Sequence, residues 1–119
     1  MARTGRIALL QLPAFSIDAA AASLAHTLRR IDGTAAGRPD LIVLPEVTYP
    51  AYFIGSTDIA ASVSPSPSEA AERIGAKARE HGIWIAAGLA AEAPDGGYVN
   101  GAVLFDRSGE VAGTYAKSF

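Results

Sequence analysis

Three polar residues in this chain have types and positions that chemistry could use: Glu46, Asn100 and Lys117. Each lies within or just beyond an apolar segment, and Glu46 follows the run 41–44 directly after Pro45. A carboxylate beside a lysine is costly to bury unless each group satisfies the other, and enzymes use such pairs to set a base near neutral pH. The alternative is that Glu46 is a loop acid and Lys117 a solvated side chain. Spacing alone does not decide between these two interpretations.

The elements that must position these residues alternate between strands and helices. The first helix is expected to be capped by Ser16 or Asp18 and to end near Gly37. The second is marked by a capping box at Ser66 and Glu69 and by a stop at 81–82. The hydrophobic pattern predicts five strands, at 6–12, 40–44, 83–90, 98–105 and 110–115. The order predicts an α/β fold in which a βαβ unit is followed by a helix and three strands.

Composition excludes several classes of function. The chain has 119 residues, 50% of them hydrophobic, and a formal net charge of −2, which gives no field for binding nucleic acid. No apolar run is long enough to cross a membrane, so we expect a soluble, cytoplasmic protein with no membrane partner. The segment 11–18 after the first strand contains no glycine, which argues against a phosphate cradle. His26 and His81 lie on different predicted helices with no partnering cysteine, so we expect no metal and no cofactor.

Two motifs stand out in the sequence. The first is "DLIVLPE" at 40–46, and the second is "YVNGAVLFDRSGEVAGTYAK" at 98–117. In this order they are similar to the motifs of the nitrilase superfamily of carbon-nitrogen hydrolases. In the second motif Ala116 stands where arginine is frequent in the family. The positions that match the family pattern there are Tyr98, Asn100, Gly101, Ala102, Gly109, Gly113, Tyr115 and Lys117.

The resemblance implies a mechanism that uses a glutamate, a lysine and a cysteine. It assigns Glu46 as the general base and Lys117 as the group that stabilises the tetrahedral intermediate, while a cysteine attacks the carbonyl or nitrile carbon. This chain contains no cysteine. The family domain is an αββα sandwich well over twice this length, so residues 1–119 are expected to be its N-terminal portion, without the C-terminal portion that carries the nucleophile.

The resemblance also implies a site and a class of substrate. Pro45 would turn Glu46 out of the sheet into a cleft, with Tyr49, Tyr52 and Asn100 lining the substrate pocket, although the two tyrosines could instead pack the loop onto the sheet. The substrate would be a small-molecule amide, carbamoyl compound or nitrile, and the complete protein a homo-oligomer.

If the chain is part of a sandwich, it should expose one apolar sheet face. Ile83, Ile85, Val103 and Phe105 are expected to lie on or near this face. The alternative function is a noncatalytic α/β interaction module, a degenerate relative that binds a partner through that face.

Overall fold

The strands form one sheet whose spatial order follows the chain. The computed structural model describes residues 3–51 and 57–117. Neighbours along the order β1-β2-β3-β4-β5 are parallel as far as β3 and antiparallel from β3 onward. The strands are β1 (Ile7–Leu9), β2 (Leu41–Val43), β3 (Trp84–Glu92), β4 (Tyr98–Phe105) and β5 (Val111–Ala116). The predicted α/β fold, with its βαβ unit and three later strands, is confirmed.

Within residues 3–51 and 57–117, the sheet is accompanied by the α-helices α1 (Ala20–Ala35), α2 (Thr57–Ser62) and α3 (Pro67–His81). Helix α3 begins as predicted, because the Ser66 hydroxyl accepts a hydrogen bond from Glu69 N at 3.1 Å. It ends at His81, and Gly82, whose φ of 65° is left-handed, follows as the C-terminal cap. Helix α1 does not have the expected cap. A 3₁₀ turn at Ile17–Ala19 precedes it, and the Ser16 hydroxyl donates to Asp18 Oδ1 instead of capping the backbone.

The turn between β4 and β5 depends on Asp106 and Gly109. Asp106 Oδ1 accepts hydrogen bonds from Ser108 N and Glu110 N, at 2.9 Å and 3.1 Å. Gly109 has a φ of 84°, and a Cβ added there would lie 2.6 Å from the Gly75 carbonyl oxygen of α3. A glycine is therefore needed both for the turn and for the close approach of α3.

Helices α1 and α3 pack against one face of the sheet and form the core with it. Ile83, Ile85, Val103 and Phe105 lie on this covered face, with exposed fractions between 0% and 9%. The prediction that they lie on the uncovered face was therefore wrong. Alternation along a strand divides residues into two faces, but it does not show which face the helices cover.

The opposite face presents the alternate residues of the same strands. Ile7, Leu9 and Tyr115 expose 64%, 75% and 66% of their surface. The strand register joins these to partly exposed residues of the central strands, namely Leu41, Val43, Trp84 and Leu104. We call this set the open face. Among the helices of residues 3–51 and 57–117, none combines the length and apolar character needed to cross a membrane.

Candidate active site

A bulge after β2 places Glu46. Leu44 N donates to the Ala86 carbonyl and Thr48 N to the Gly88 carbonyl, each at 2.8 Å. The two donors are four residues apart, whereas their acceptors on β3 are two apart, so two residues are displaced from the ladder. Glu46 lies in this displaced segment and so leaves the sheet at the end of β2, as the resemblance implied.

The bulge requires a glycine opposite it on β3. A Cβ on Gly88 would lie 2.5 Å from the Pro45 carbonyl oxygen and 2.6 Å from Glu46 Cα. Val47 has a φ of 55°, a left-handed conformation that a β-branched residue adopts only under strain of about 1–3 kcal/mol. The Thr48 hydroxyl donates to the Pro45 carbonyl at 2.7 Å and ties the segment together. Sequence reasoning missed Gly88, although an isolated glycine inside an apolar strand is a recognised mark of close backbone approach.

Glu46, Asn100 and Lys117 meet at this end of the sheet. Lys117 Nζ and Asn100 Nδ2 both donate to Glu46 Oε1, each at 2.6 Å. The backbone N–H of Lys117 also donates to the Asn100 carbonyl at 2.9 Å. The structure therefore brings together the three polar residues singled out in the sequence. The Lys117 and Glu46 side chains are 50% and 56% exposed, so this carboxylate is not buried in this chain.

The electrostatics of the cluster favour a charged carboxylate. The hydrogen bond from Lys117, then that from Asn100, and then the lysine charge hold the pKa of the Glu46 carboxyl below its ordinary value. Slight desolvation opposes this shift and is the smallest contribution. Glu46 is thus ionised at neutral pH and able to accept a proton, but it is a weaker base than a free glutamate.

Among the cavities formed by the described part of the chain, two that border Glu46 are of interest. One, of about 290 Å³, is lined by Glu46, Asn100, Gly101, Ala102, Tyr115 and Lys117. The other, of about 250 Å³, lies against the segment after β1 and the first turns of α1, where Ser23 and Thr27 contribute hydroxyl groups. Only the first cavity contains both Glu46 and Lys117, so it is where a substrate could contact both groups.

The structure does not bring Tyr49 to this site. Tyr49 is fully buried, its hydroxyl donates to the Pro65 carbonyl, and it lines neither cavity that borders Glu46. Burial raises the pKa of Tyr49 to about 12. Its observed position fits the alternative interpretation, in which the loop packs onto the sheet. Tyr52 lies outside the described residues.

The histidines occupy other parts of the molecule. The His26 ring packs against Phe15, with centroids 5.6 Å apart. His81 Nε2 lies 2.7 Å from Asp32 Oδ1, and Glu80 is close enough to complete a set of possible metal ligands. Lys77 Nζ already lies 2.9 Å from Asp32 and 3.1 Å from Glu80. This group is therefore an ion-pair network that joins α1 to α3.

Comparisons with known proteins agree with this geometry. The model of the carbon-nitrogen hydrolase family matches residues 6–119. A curated protein from Pseudomonas protegens, named "Hydrolase in pqqF 5'region", is 32% identical over 118 residues, which are 98% of this chain and 40% of that protein. An amidase from Nesterenkonia sp. superposes with a TM-score of 0.79 at 28% identity, over 97% of this chain and 43% of the amidase.

A variant of the amidase from Nesterenkonia sp. AN1 superposes with a TM-score of 0.76 at 27% identity, over 95% of this chain and 42% of that protein. It shows covalent addition of the acetamide moiety of fluoroacetamide at the active site cysteine. The chain therefore spans less than half the length of each of these relatives.

Proposed function

This chain belongs to the carbon-nitrogen hydrolase family, and from that premise we propose that Glu46 and Lys117 serve an enzyme that hydrolyses a non-peptide amide, carbamoyl or nitrile bond. Glu46 is the general base, and Lys117 stabilises the oxyanion. The observation that carries the proposal is the 2.6 Å contact between Lys117 Nζ and Glu46 Oε1, made by residues 71 apart in the chain. A half-exposed ion pair adds little stability, so stability alone is a weak reason for this arrangement.

The proposed mechanism needs a thiol from outside residues 1–119, because these residues contain no cysteine. For an amide substrate, Glu46 takes the thiol proton as sulfur bonds to the carbonyl carbon, and the Lys117 ammonium donates to the developing oxyanion. The C–N bond then breaks, the amine leaves with the proton held by Glu46, and water hydrolyses the thioester. The covalent addition of the acetamide moiety of fluoroacetamide at the cysteine of the Nesterenkonia amidase supports a nucleophilic thiol in such a site.

The same proposal explains the exposure of the site. In this proposal residues 1–119 are the N-terminal portion of a larger domain, and the chain's coverage of only 40% and 43% of two relatives supports it. The remaining portion packs on the open face and covers Glu46 and Lys117. Removing water from a carboxylate raises its pKa, so coverage moves Glu46 toward the value that a base working near neutral pH needs. The substrates are small molecules, and the complete protein is a cytoplasmic homo-oligomer.

The test uses the polypeptide that includes these residues together with the region encoded after them. That region should contain a strand followed by a cysteine, and the purified protein should release ammonia from a panel of simple amides, carbamoyl amino acids and nitriles. Glu46→Gln and Lys117→Ala should each lower kcat on the order of 10²- to 10⁴-fold. Glu72→Gln, whose wild-type residue lies on α3 away from the site, is the matched control. A complete protein without turnover on the panel would favour the noncatalytic interaction module.

A further inference from the structure

Asn100 contacts both residues of the proposed catalytic pair, through two different groups. We infer that Asn100 is a positioning residue that fixes Glu46 Oε1 beside Lys117 and leaves Oε2 as the oxygen that accepts the proton. This inference rests on the proposed function, in which Glu46 is the base. It gives Asn100 a role other than the substrate contact expected from the sequence.

The first step is the geometry around Glu46. Asn100 Nδ2 and Lys117 Nζ both donate to Oε1, at 2.6 Å each. Within residues 3–51 and 57–117, the side chains that donate hydrogen bonds to Glu46 all donate to Oε1. Two charge-assisted hydrogen bonds to Oε1 fix the carboxylate plane, so Oε2 retains its lone pairs for a proton.

The second step concerns rigidity. Glu46 is a long side chain on a bulge, and Lys117 follows the edge strand β5, so each must lose rotamer freedom to meet the other. Asn100 has a short side chain on β4, which pairs with both β3 and β5. Its backbone carbonyl accepts from Lys117 N at 2.9 Å. The most constrained residue of the cluster therefore orients the two flexible ones.

The third step is chemical. An amide N–H₂ donates to a carboxylate without adding charge, so Asn100 orients Glu46 without replacing the ion pair that Lys117 makes. An aspartate would place a second negative charge beside Oε1, and an alanine would leave Oε1 with one donor fewer. Both substitutions should therefore change the proton affinity of Glu46.

The experiment follows the side-chain carboxyl resonance of Glu46 by ¹³C NMR as the pH is lowered, in the 119-residue chain at a concentration below that at which sedimentation detects oligomers. Asn100→Ala should raise the pKa of Glu46, and Lys117→Met should raise it further, because the lysine hydrogen bond is the larger influence. Asn100→Asp keeps the shape of asparagine and should also raise this pKa. The Asp32 carboxyl, on α1 away from this cluster, should titrate identically in all variants. Amide spectra show which variants are folded, and the isosteric Asn100→Asp provides the test if Asn100→Ala does not fold.

An unchanged Glu46 titration in a folded Asn100 variant overturns the inference. In the complete protein, Asn100→Ala should also move the acidic limb of the kcat/KM profile to higher pH, which a merely structural role would not do. The proposed function fails separately, if Glu46→Gln retains turnover while the NMR shifts are as expected. Loss of turnover in Glu46→Gln, with unchanged titration and pH profile in the Asn100 variants, overturns the positioning role alone.

Discussion

Burial raises the pKa of the Tyr49 hydroxyl to about 12, which links the stability of the fold to alkaline pH. A pKa raised in the folded state stabilises the protein fully below pH 10, the ordinary value, and this contribution is lost as the pH rises toward about 12. Tyr49→Phe should lower the free energy of unfolding by about 1 kcal/mol near neutral pH, because the Pro65 carbonyl loses its donor.

Urea unfolding at neutral and alkaline pH measures this difference. The difference in the free energy of unfolding between wild type and Tyr49→Phe should become smaller above pH 10. The reason is that the wild type has a phenol at position 49 to ionise and the variant does not. Tyr115→Phe, at a residue that is 66% exposed, is the control and should follow the wild type. If the free energies of unfolding of wild type and Tyr49→Phe changed in parallel between neutral and alkaline pH, the link between the raised pKa of Tyr49 and stability would be contradicted.

Gly88 is the residue on which the position of Glu46 depends most directly. Gly88→Ala places a methyl group 2.5 Å from the Pro45 carbonyl oxygen, so the bulge or β3 must shift. The expected result is a loss of about 1–3 kcal/mol in the free energy of unfolding, with a rise in the pKa of Glu46 as its donors move away. Gly113→Ala is the matched control, because a Cβ there meets nothing within 4 Å. Equal stability of the two variants would show that the bulge tolerates a side chain.

At the scale of elements, Asp32 joins α1 to α3. Hydrogen bonds from His81 and Lys77 and the charges of both residues outweigh desolvation and hold the pKa of Asp32 below its ordinary value of 3.8. A lowered pKa stabilises the fold above that ordinary value, and the contribution disappears as the pH falls through the folded-state value. Asp32→Asn should therefore destabilise the protein by about 0.2–1 kcal/mol at neutral pH and by less in acid or high salt.

Thermal unfolding at neutral and acidic pH tests whether Asp32 links the two helices. Glu69→Gln is the comparison, because the Glu69–Arg73 pair lies within α3 and joins no two elements. Asp32→Asn should speed hydrogen exchange in both helices, whereas Glu69→Gln should affect the first turn of α3 alone. Unchanged hydrogen exchange in both helices of Asp32→Asn would mean that apolar packing is sufficient to join α1 and α3.

The sequence predicted elements well where local chemistry determines them. The Ser66 cap and the turns before β4 and β5 act within a few residues, and the structure confirms them. Helix α2, at Thr57–Ser62, was missed because six residues are too few to show helical periodicity. Strand β1 is shorter than predicted, since its partner β2 offers three residues for pairing.

The candidate site was predictable in part. Positions at strand ends singled out Glu46 and Lys117 but left two interpretations open, and the resemblance implied that the two residues share a site. Their contact is observed. The isolated glycine inside β3 marked a close backbone approach, but which segment approaches Gly88 depends on the register between β3 and the bulge. The burial of Tyr49 depends on its contact with Pro65, which spacing does not show. The catalytic roles remain predictions.

For the molecule as a whole, the open face predicts self-association. Ile7 and Leu9 are 64% and 75% exposed beside further apolar side chains of the sheet, and surfaces of this kind associate in water. Sedimentation of the 119-residue chain should show oligomers or precipitation as the concentration rises. Leu9→Lys should increase the monomer fraction, whereas Ile17→Lys, outside the strands, should not. A stable, folded wild-type monomer at high concentration would contradict this prediction.

The last prediction is that these 119 residues alone do not hydrolyse an amide or a nitrile. They bring a base and a cation together, yet no thiol is present for Glu46 to deprotonate. The hydroxyls of Ser16 and Ser62 contact Asp18 and the Ile59 carbonyl instead of Glu46, so neither is activated as a nucleophile. Loss of a covalent nucleophile leaves only the acceleration that binding and oxyanion stabilisation provide. At a site where Lys117 is 50% exposed, water weakens that remaining stabilisation as well.

Ammonia release from the purified chain should therefore equal that of the Glu46→Gln and Lys117→Ala variants. Turnover that disappears in either variant would mean that the site works without a cysteine, and the thiol mechanism would have to be abandoned for this protein.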